Sequence, residues 1–370
     1  MKRSRDVALD PGRVAGASSR AADGVEPALP PAPPTVIDAD GRPRFGTYRG
    51  ELDAVDLPRL GIDLRPSRVR RFLSHKRWFY SFIATPECVV VGAAVDLGYT
   101  SNAFVLAADL GARRVLVDRS ALGLPRPAVR VSDRPGSGLR ARFSAFGAKV
   151  RAARDGGAYR LATAFGPQRG AEEIELAAEL RVDGAPPPLT VIAPVDGGVV
   201  NVTQKSAGLA ASGRLRVGDR TFSLDGGLGG LDYTNGYLAR HTAWRWAFGC
   251  GRLDDGTPIA MNLVEGFNET RSDVNENALW IGSRLVPLER ARFSWSREDP
   301  FDRWRITTTD GAVELDFEPF GGHVDERDLG VVKSRFVQPV GFFSGTIREG
   351  GAAHRVRDLP GVTEDQDLLW

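Results

Sequence analysis

Apolar and polar residues alternate with a period of two through much of the chain, in short runs that turn residues interrupt. Trp78-Phe79-Tyr80-Ser81-Phe82-Ile83 is aromatic and β-branched, Glu87-Cys88-Val89-Val90-Val91-Gly92 follows Pro86, and further apolar runs occupy 100–108 and 113–117. Asp155-Gly156-Gly157, Asp183-Gly184 and Asp196-Gly197-Gly198 punctuate them. In the second half Trp244-Arg245-Trp246-Ala247-Phe248 and Arg303-Trp304-Arg305-Ile306-Thr307 alternate. Asp254-Asp255-Gly256 and Asp310-Gly311 separate such runs where a hairpin would turn, as Gly218-Asp219 does earlier. Short strands with regularly spaced turn signals predict an antiparallel sandwich or barrel. One helix is predicted, near 66–73, where arginines surround a few apolar residues. No helix-period apolar stripe is longer than about ten residues.

Length and punctuation divide this β-rich chain. Its 370 residues predict two domains. Both halves open on an aromatic strand, near Trp78 and near Trp244. The run Asp225-Gly226-Gly227-Leu228-Gly229-Gly230 reads as a flexible joint, which places the domains at 44–230 and 231–370. Residues 1–43, rich in Ala, Gly, Ser, Pro and charge, predict a disordered tail, with Leu29-Pro30-Pro31-Ala32-Pro33-Pro34 as extended polyproline.

Charge and composition narrow the function classes. With 49 basic and 47 acidic residues the net charge is +2, without the clustered basic excess of a nucleic-acid surface. Cys88 and Cys250 form no CxxC and read as buried thiols. No apolar run is long enough for a membrane span, and the basic start is not followed by an apolar stretch, so a cytoplasmic location is expected. His75, His241, His323 and His354 are too scattered for a metal motif, and no P-loop, dinucleotide fingerprint or nucleophile elbow occurs. Neither metal nor cofactor is expected.

Period two places Trp244, Trp246 and Phe248 on one face of a strand and Arg245 on the other. The inward face of a small barrel fills a core or lines a single ligand cavity. Arg245 is expected to pair with Glu265 on the next strand. Asp232, Tyr233 and His241 bring a carboxylate, a phenol and an imidazole within ten residues, a set suited to general acid–base chemistry. Asp232, just after glycines, equally suits a turn or cap. Glu265, Glu276 and Asn277 are candidates for the rim of a barrel mouth, where polar groups orient a ligand.

The run Leu231-Asp232-Tyr233-Thr234-Asn235-Gly236-Tyr237, then His241-Thr242-Ala243-Trp244-Arg245-Trp246-Ala247, resembles the hallmark of the bacterial family called domain of unknown function 2804. Asn262-Leu263-Val264-Glu265-Gly266, Glu276-Asn277-Ala278-Leu279-Trp280, Gly361-Val362-Thr363-Glu364-Asp365, Trp78 and Asp96-Leu97-Gly98-Tyr99 fit it too. More remotely, the order of glycine-rich turn, Asp, aromatic residue, Trp-x-Trp strand and Asp-Gly hairpin is similar to the two-domain lipocalin-like (calycin) proteins, among them the carotenoid 1,2-hydratases and the AttH-like group. That resemblance implies two consecutive lipocalin-like antiparallel β-barrel domains. In that group an Asp-His pair lies where the barrels meet. Asp232 matches the Asp, Tyr233 stands in place of the His, and His241 lies nine positions after Asp232.

The leading expectation is therefore binding of a hydrophobic small molecule, lipid or terpenoid-like, in or between the barrels. One alternative is a hydratase or isomerase acting on an apolar substrate through Asp232 and His241, with Trp244 and Trp246 shielding a cationic intermediate. The other is a structural or protein-interaction module using residues 1–43. Ligand identity and oligomeric state stay open.

Overall fold

A computed structural model describes residues 29–328, 330 and 333–370, and in it the alternating runs become antiparallel strands. Among the described residues they form a 14-stranded sheet and a 9-stranded sheet. One is a nearly closed barrel and the other a half-barrel, so the chain is nearly all-β with two consecutive barrel-like sheets. In the first sheet His75–Ala84 pairs with Cys88–Asp96 on one side and Leu228–Tyr237 on the other. In the second His241–Arg252 pairs with Pro258–Glu265 and Ala352–Leu369. The two aromatic strands near Trp78 and Trp244 are thus interior strands of the two sheets.

Alternation decides which side chain goes where. Phe79 and Ile83 point into the first barrel. Ala247, Leu263 and Phe317 fill the second. Tyr80, Phe82, Trp244, Trp246 and Phe248 belong to a third core between the sheets. The two aromatic strands meet there ring against ring. Phe82 lies 5.3 Å from Phe248, Tyr80 meets Trp246 edge-on at 5.2 Å, and Trp78 stacks on Trp244 at 5.9 Å. Offset and edge-on ring pairs add to area burial, so this layer holds the two sheets in a defined register.

The turn signals fold as hairpins, with Val217 opposite Arg220, Arg252 opposite Pro258 and Thr307 opposite Glu314. The predicted helix is Arg68–Ser74, its N-terminus capped by Ser67. None of the described helices is long and apolar enough to cross a membrane.

Two local expectations need correction. The expected tail, 1–43, is only partly outside the described residues, which begin at 29. Pro31 bridges Arg49, Thr35 bridges Ala54, and Val36 and Ile37 are buried in the first barrel's core. Two adjacent β-branched residues outweigh a proline-rich composition. The glycine run is also no flexible joint, because Leu228–Tyr237 is a strand of the first sheet. A Cβ at Gly230 would lie 2.2 Å from the Phe248 ring, and one at Gly229 would lie 2.7 Å from the Phe82 carbonyl oxygen. Gly230 permits close packing across the layer and Gly229 close packing within the first sheet, roles a composition reading confuses with flexibility. The chain therefore leaves the first sheet at Tyr237 and enters the second at His241, with 231–237 paired in the first.

Candidate functional site

The layer between the sheets is not solid. A cavity of about 140 Å3 opens there, walled by Trp78, Tyr80, Phe104, Trp244, Trp246 and Phe336. Lys205, Asp232, Glu276 and Glu364 line it too. Each reaches the cavity from a different segment: Lys205 on Val200–Val217, Asp232 on Leu228–Tyr237, Glu276 just before Ala278–Ile281, and Glu364 on Ala352–Leu369. Toward Asp325, Ser334, Gln366 and Trp370 the lining is half-exposed.

Lys205 is the centre of this polar group. Its Nζ lies 2.8 Å from Asp232 Oδ1 and 3.5 Å from Glu276 Oε2. Asp232 also accepts hydrogen bonds from Trp78 Nε1 at 3.2 Å and Thr203 Oγ1 at 3.2 Å. Glu276 accepts from Asn268 Nδ2 at 3.1 Å. Glu364 accepts from Trp244 Nε1 at 3.1 Å and from Gln338 Nε2 at 2.5 Å. The stacked indoles thus each hold one carboxylate, Trp78 that of Asp232 and Trp244 that of Glu364.

One ammonium faces three carboxyl groups in a buried site. Burial pushes Glu364 up to about 7, against the hydrogen bonds from Trp244 and Gln338. Burial also raises Glu276, with Lys205 opposing. Burial works to lower the Lys205 pKa, but Asp232, Glu276 and Glu364 outweigh it and hold the amine above an ordinary lysine. Glu364 is therefore partly protonated near neutral pH, in range for donating a proton. Two lining atoms, Asn102 Oδ1 and Thr234 Oγ1, are buried with no hydrogen-bond partner among the described residues. Buried polar atoms are normally paired, so both are available to a ligand. At the half-exposed end Lys76 Nζ donates to the Leu97 carbonyl at 2.8 Å and faces Tyr99 and Trp370 at 4.3 and 4.8 Å. Burial pulls its pKa down to about 7.

The sequence candidates separate into two sets. Asp232, Trp244, Trp246 and Glu276 line the cavity. Tyr233 alternates to the other face, inside the first barrel, where its hydroxyl donates to the Ser132 carbonyl at 2.8 Å and burial pushes the phenol up. His241 is not brought to Asp232: its side chain is 65% exposed and bonds Asp367 at 2.8 Å. Arg245 and Glu265 are directly opposite in register, yet they do not pair. Arg245 lies 3.8 Å from Asp365 and over the Trp295 ring, while Glu265 accepts from the Phe293 backbone N–H at 3.0 Å. Asn277 ties the Val264 N–H to Asn275 and is structural. Lys205 and Glu364 were not among the candidates. Among the described residues no group of three or more His, Cys, Asp or Glu is arranged to hold a metal ion.

Several solved structures have a similar course of chain. CghA aligns with TM-score 0.50 and 11% identity, over 87% of this chain and 98% of its own. A Nitrosomonas europaea protein assigned as an AttH aligns with TM-score 0.47 and 15% identity, over 79% and 92%. Kievitone hydratase from Nectria haematococca aligns with TM-score 0.42 and 12% identity, over 91% and 98%. At these identities the likeness is one of fold. No curated protein matches the chain in sequence. Residues 30–370 match the family described as Domain of unknown function (DUF2804), and the chain belongs to that family.

Proposed function

We propose that the chain binds an apolar small molecule between its two sheets and moves a proton on it, as a hydratase or isomerase of an apolar, unsaturated substrate does. The observation that carries this reading is the placement of Lys205, Asp232, Glu276 and Glu364 around one cavity whose other walls are aromatic. A fold does not require this arrangement. Buried charge gains little stability over well-packed apolar residues, and a cluster of perturbed titratable groups in a cleft marks a functional site.

The geometry supports the following roles. Glu364, at about 7, gives a proton to one carbon of a double bond. The Trp78, Trp244 and Trp246 rings stabilise the cationic character that develops on the other carbon. Asp232 accepts the proton lost from an attacking water, giving hydration, or from a neighbouring carbon, giving isomerisation. Lys205, 2.8 Å away, holds Asp232 in place and balances its charge. A cavity of about 140 Å3 accommodates the reacting end of a ligand, since a comparable apolar cavity takes one benzene ring. The rest of a larger molecule would extend past Gln366 and Trp370.

The test begins with mass spectrometry of an organic extract of the purified protein. The recovered compound is then incubated with fresh protein in deuterium oxide. Deuterium on carbon, or addition of deuterated water, that is lost in Glu364→Gln and Asp232→Asn supports the proposal. A compound that binds yet never acquires label makes the protein a carrier and removes the catalytic half. A clean extract, together with no change in tryptophan fluorescence on adding apolar alkenes, overturns both halves.

A further inference from the structure

The helix Arg68–Ser74 has no buried residue, although three of its seven residues are Val69, Phe72 and Leu73. These are 69%, 53% and 50% exposed, and Ile62, six positions ahead of Arg68, is 91% exposed. A surface helix normally turns its apolar residues to the core, and so short a helix gains little stability by itself. This one presents them outward beside Arg65, Arg68, Arg70 and Arg71. Asp63 is the single acidic residue in 62–74, and it pairs with Arg42 at 2.8 Å. Arg65 and Arg70 donate only to backbone carbonyls. Among the described residues Arg68 and Arg71 have no carboxylate partner. Exposed apolar side chains interleaved with unneutralised guanidinium groups match an anionic lipid surface, where the rings and branches enter the headgroup boundary and the arginines meet phosphates.

The patch also lies beside the cavity. The helix runs directly into His75–Ala84, whose Trp78 and Tyr80 line it. The Phe72 carbonyl sits against Gly98, where a Cβ would be 2.3 Å from its oxygen, and the adjoining Leu97 is a lining residue. We propose that residues 62–74 dock on an anionic membrane surface, bringing the half-exposed end of the cavity next to the bilayer. This goes beyond the acid–base reading and stands without it. An acidic protein is the other partner that arginines would attract, but four protruding apolar side chains fit a fluid lipid boundary better than a charged polypeptide.

The experiment is co-sedimentation of the full chain with vesicles of phosphatidylcholine alone and of equal parts phosphatidylcholine and phosphatidylglycerol. Binding to the anionic vesicles is expected to exceed binding to the neutral ones by at least about tenfold, since each surface arginine contributes roughly a fivefold factor. Arg68→Ser/Arg71→Ser should lose about tenfold or more on that scale, and Phe72→Ser/Leu73→Ser should also bind distinctly more weakly. Both pairs alter exposed positions, so melting temperature should hold, which separates lost docking from lost folding. Equal binding to both vesicle types overturns the proposal. So does undiminished binding by Phe72→Ser/Leu73→Ser, which would leave a charge-only surface suited to an acidic protein.

Discussion

Replacing Glu364 by Gln tests the electrostatics of the site quantitatively. In the folded chain this carboxyl titrates at about 7, against an ordinary 4.5, mainly because burial disfavours its charged form. The unfolded chain ionises near 4.5, so between these values the folded state holds more protons and stability falls as pH rises. At 1.36 kcal/mol per pH unit, ionising Glu364 in place costs roughly 3 kcal/mol in full. About 2 kcal/mol of that falls between about pH 5.5 and about pH 8. Glutamine keeps the shape and accepts from Trp244, but it never ionises. The assay is urea unfolding of wild type and Glu364→Gln at both pH values. The variant should gain on wild type by about 2 kcal/mol from the lower to the higher pH. A stability difference, variant minus wild type, that stays constant or falls as pH rises refutes the claim that burial holds this group near neutrality.

Three further outcomes follow from named contacts. Lys205→Met leaves Asp232 and Glu276 without their cation and should cost about 3–5 kcal/mol in chemical unfolding, part of it recovered by adding Asp232→Asn. Gly230→Ala sets a methyl 2.2 Å from the Phe248 ring and 2.8 Å from the Ser206 carbonyl, so the sheets must separate locally. A loss of about 1–3 kcal/mol is expected, read as a lower melting temperature. His241→Ala removes an exposed partner of Asp367 and should leave stability within about 0.5 kcal/mol and ligand binding unchanged. A large effect of His241→Ala on binding would restore the acid–base pair read from the sequence.

The fold was legible because alternation and turn residues are local signals. Trp244, Trp246 and Phe248 share a face, and that face meets Trp78, Tyr80 and Phe82 across the layer. The site was half legible. Asp232 and Glu276 stood out as acids beside glycines and aromatic strands. Their cation did not, because Lys205 belongs to another strand and reaches them only when the sheet forms. One signal was available: only five of the 49 basic residues are lysine, and two of these, Lys76 and Lys205, are buried. In an arginine-rich chain a lysine inside an apolar strand calls for a compact cation with a movable pKa. Glu364 lay in a run that fits the family, but its role depends on pairing opposite Trp246, a contact between positions far apart in sequence. Sequence proximity misled in the case of His241, because the chain turns out of the first sheet between Tyr237 and His241. Register misled in the case of Arg245 and Glu265, where a backbone N–H claims the carboxylate.

A crystal structure of the protein with its extracted compound bound would show where the ligand sits and which side chains face it. Electron density is expected between the Trp78–Trp244 stack and Trp246, with a reacting carbon or polar group facing Glu364 and Asp232. Density inside either barrel, or a ligand held on the outer surface with the cavity between the sheets unfilled, would contradict that placement.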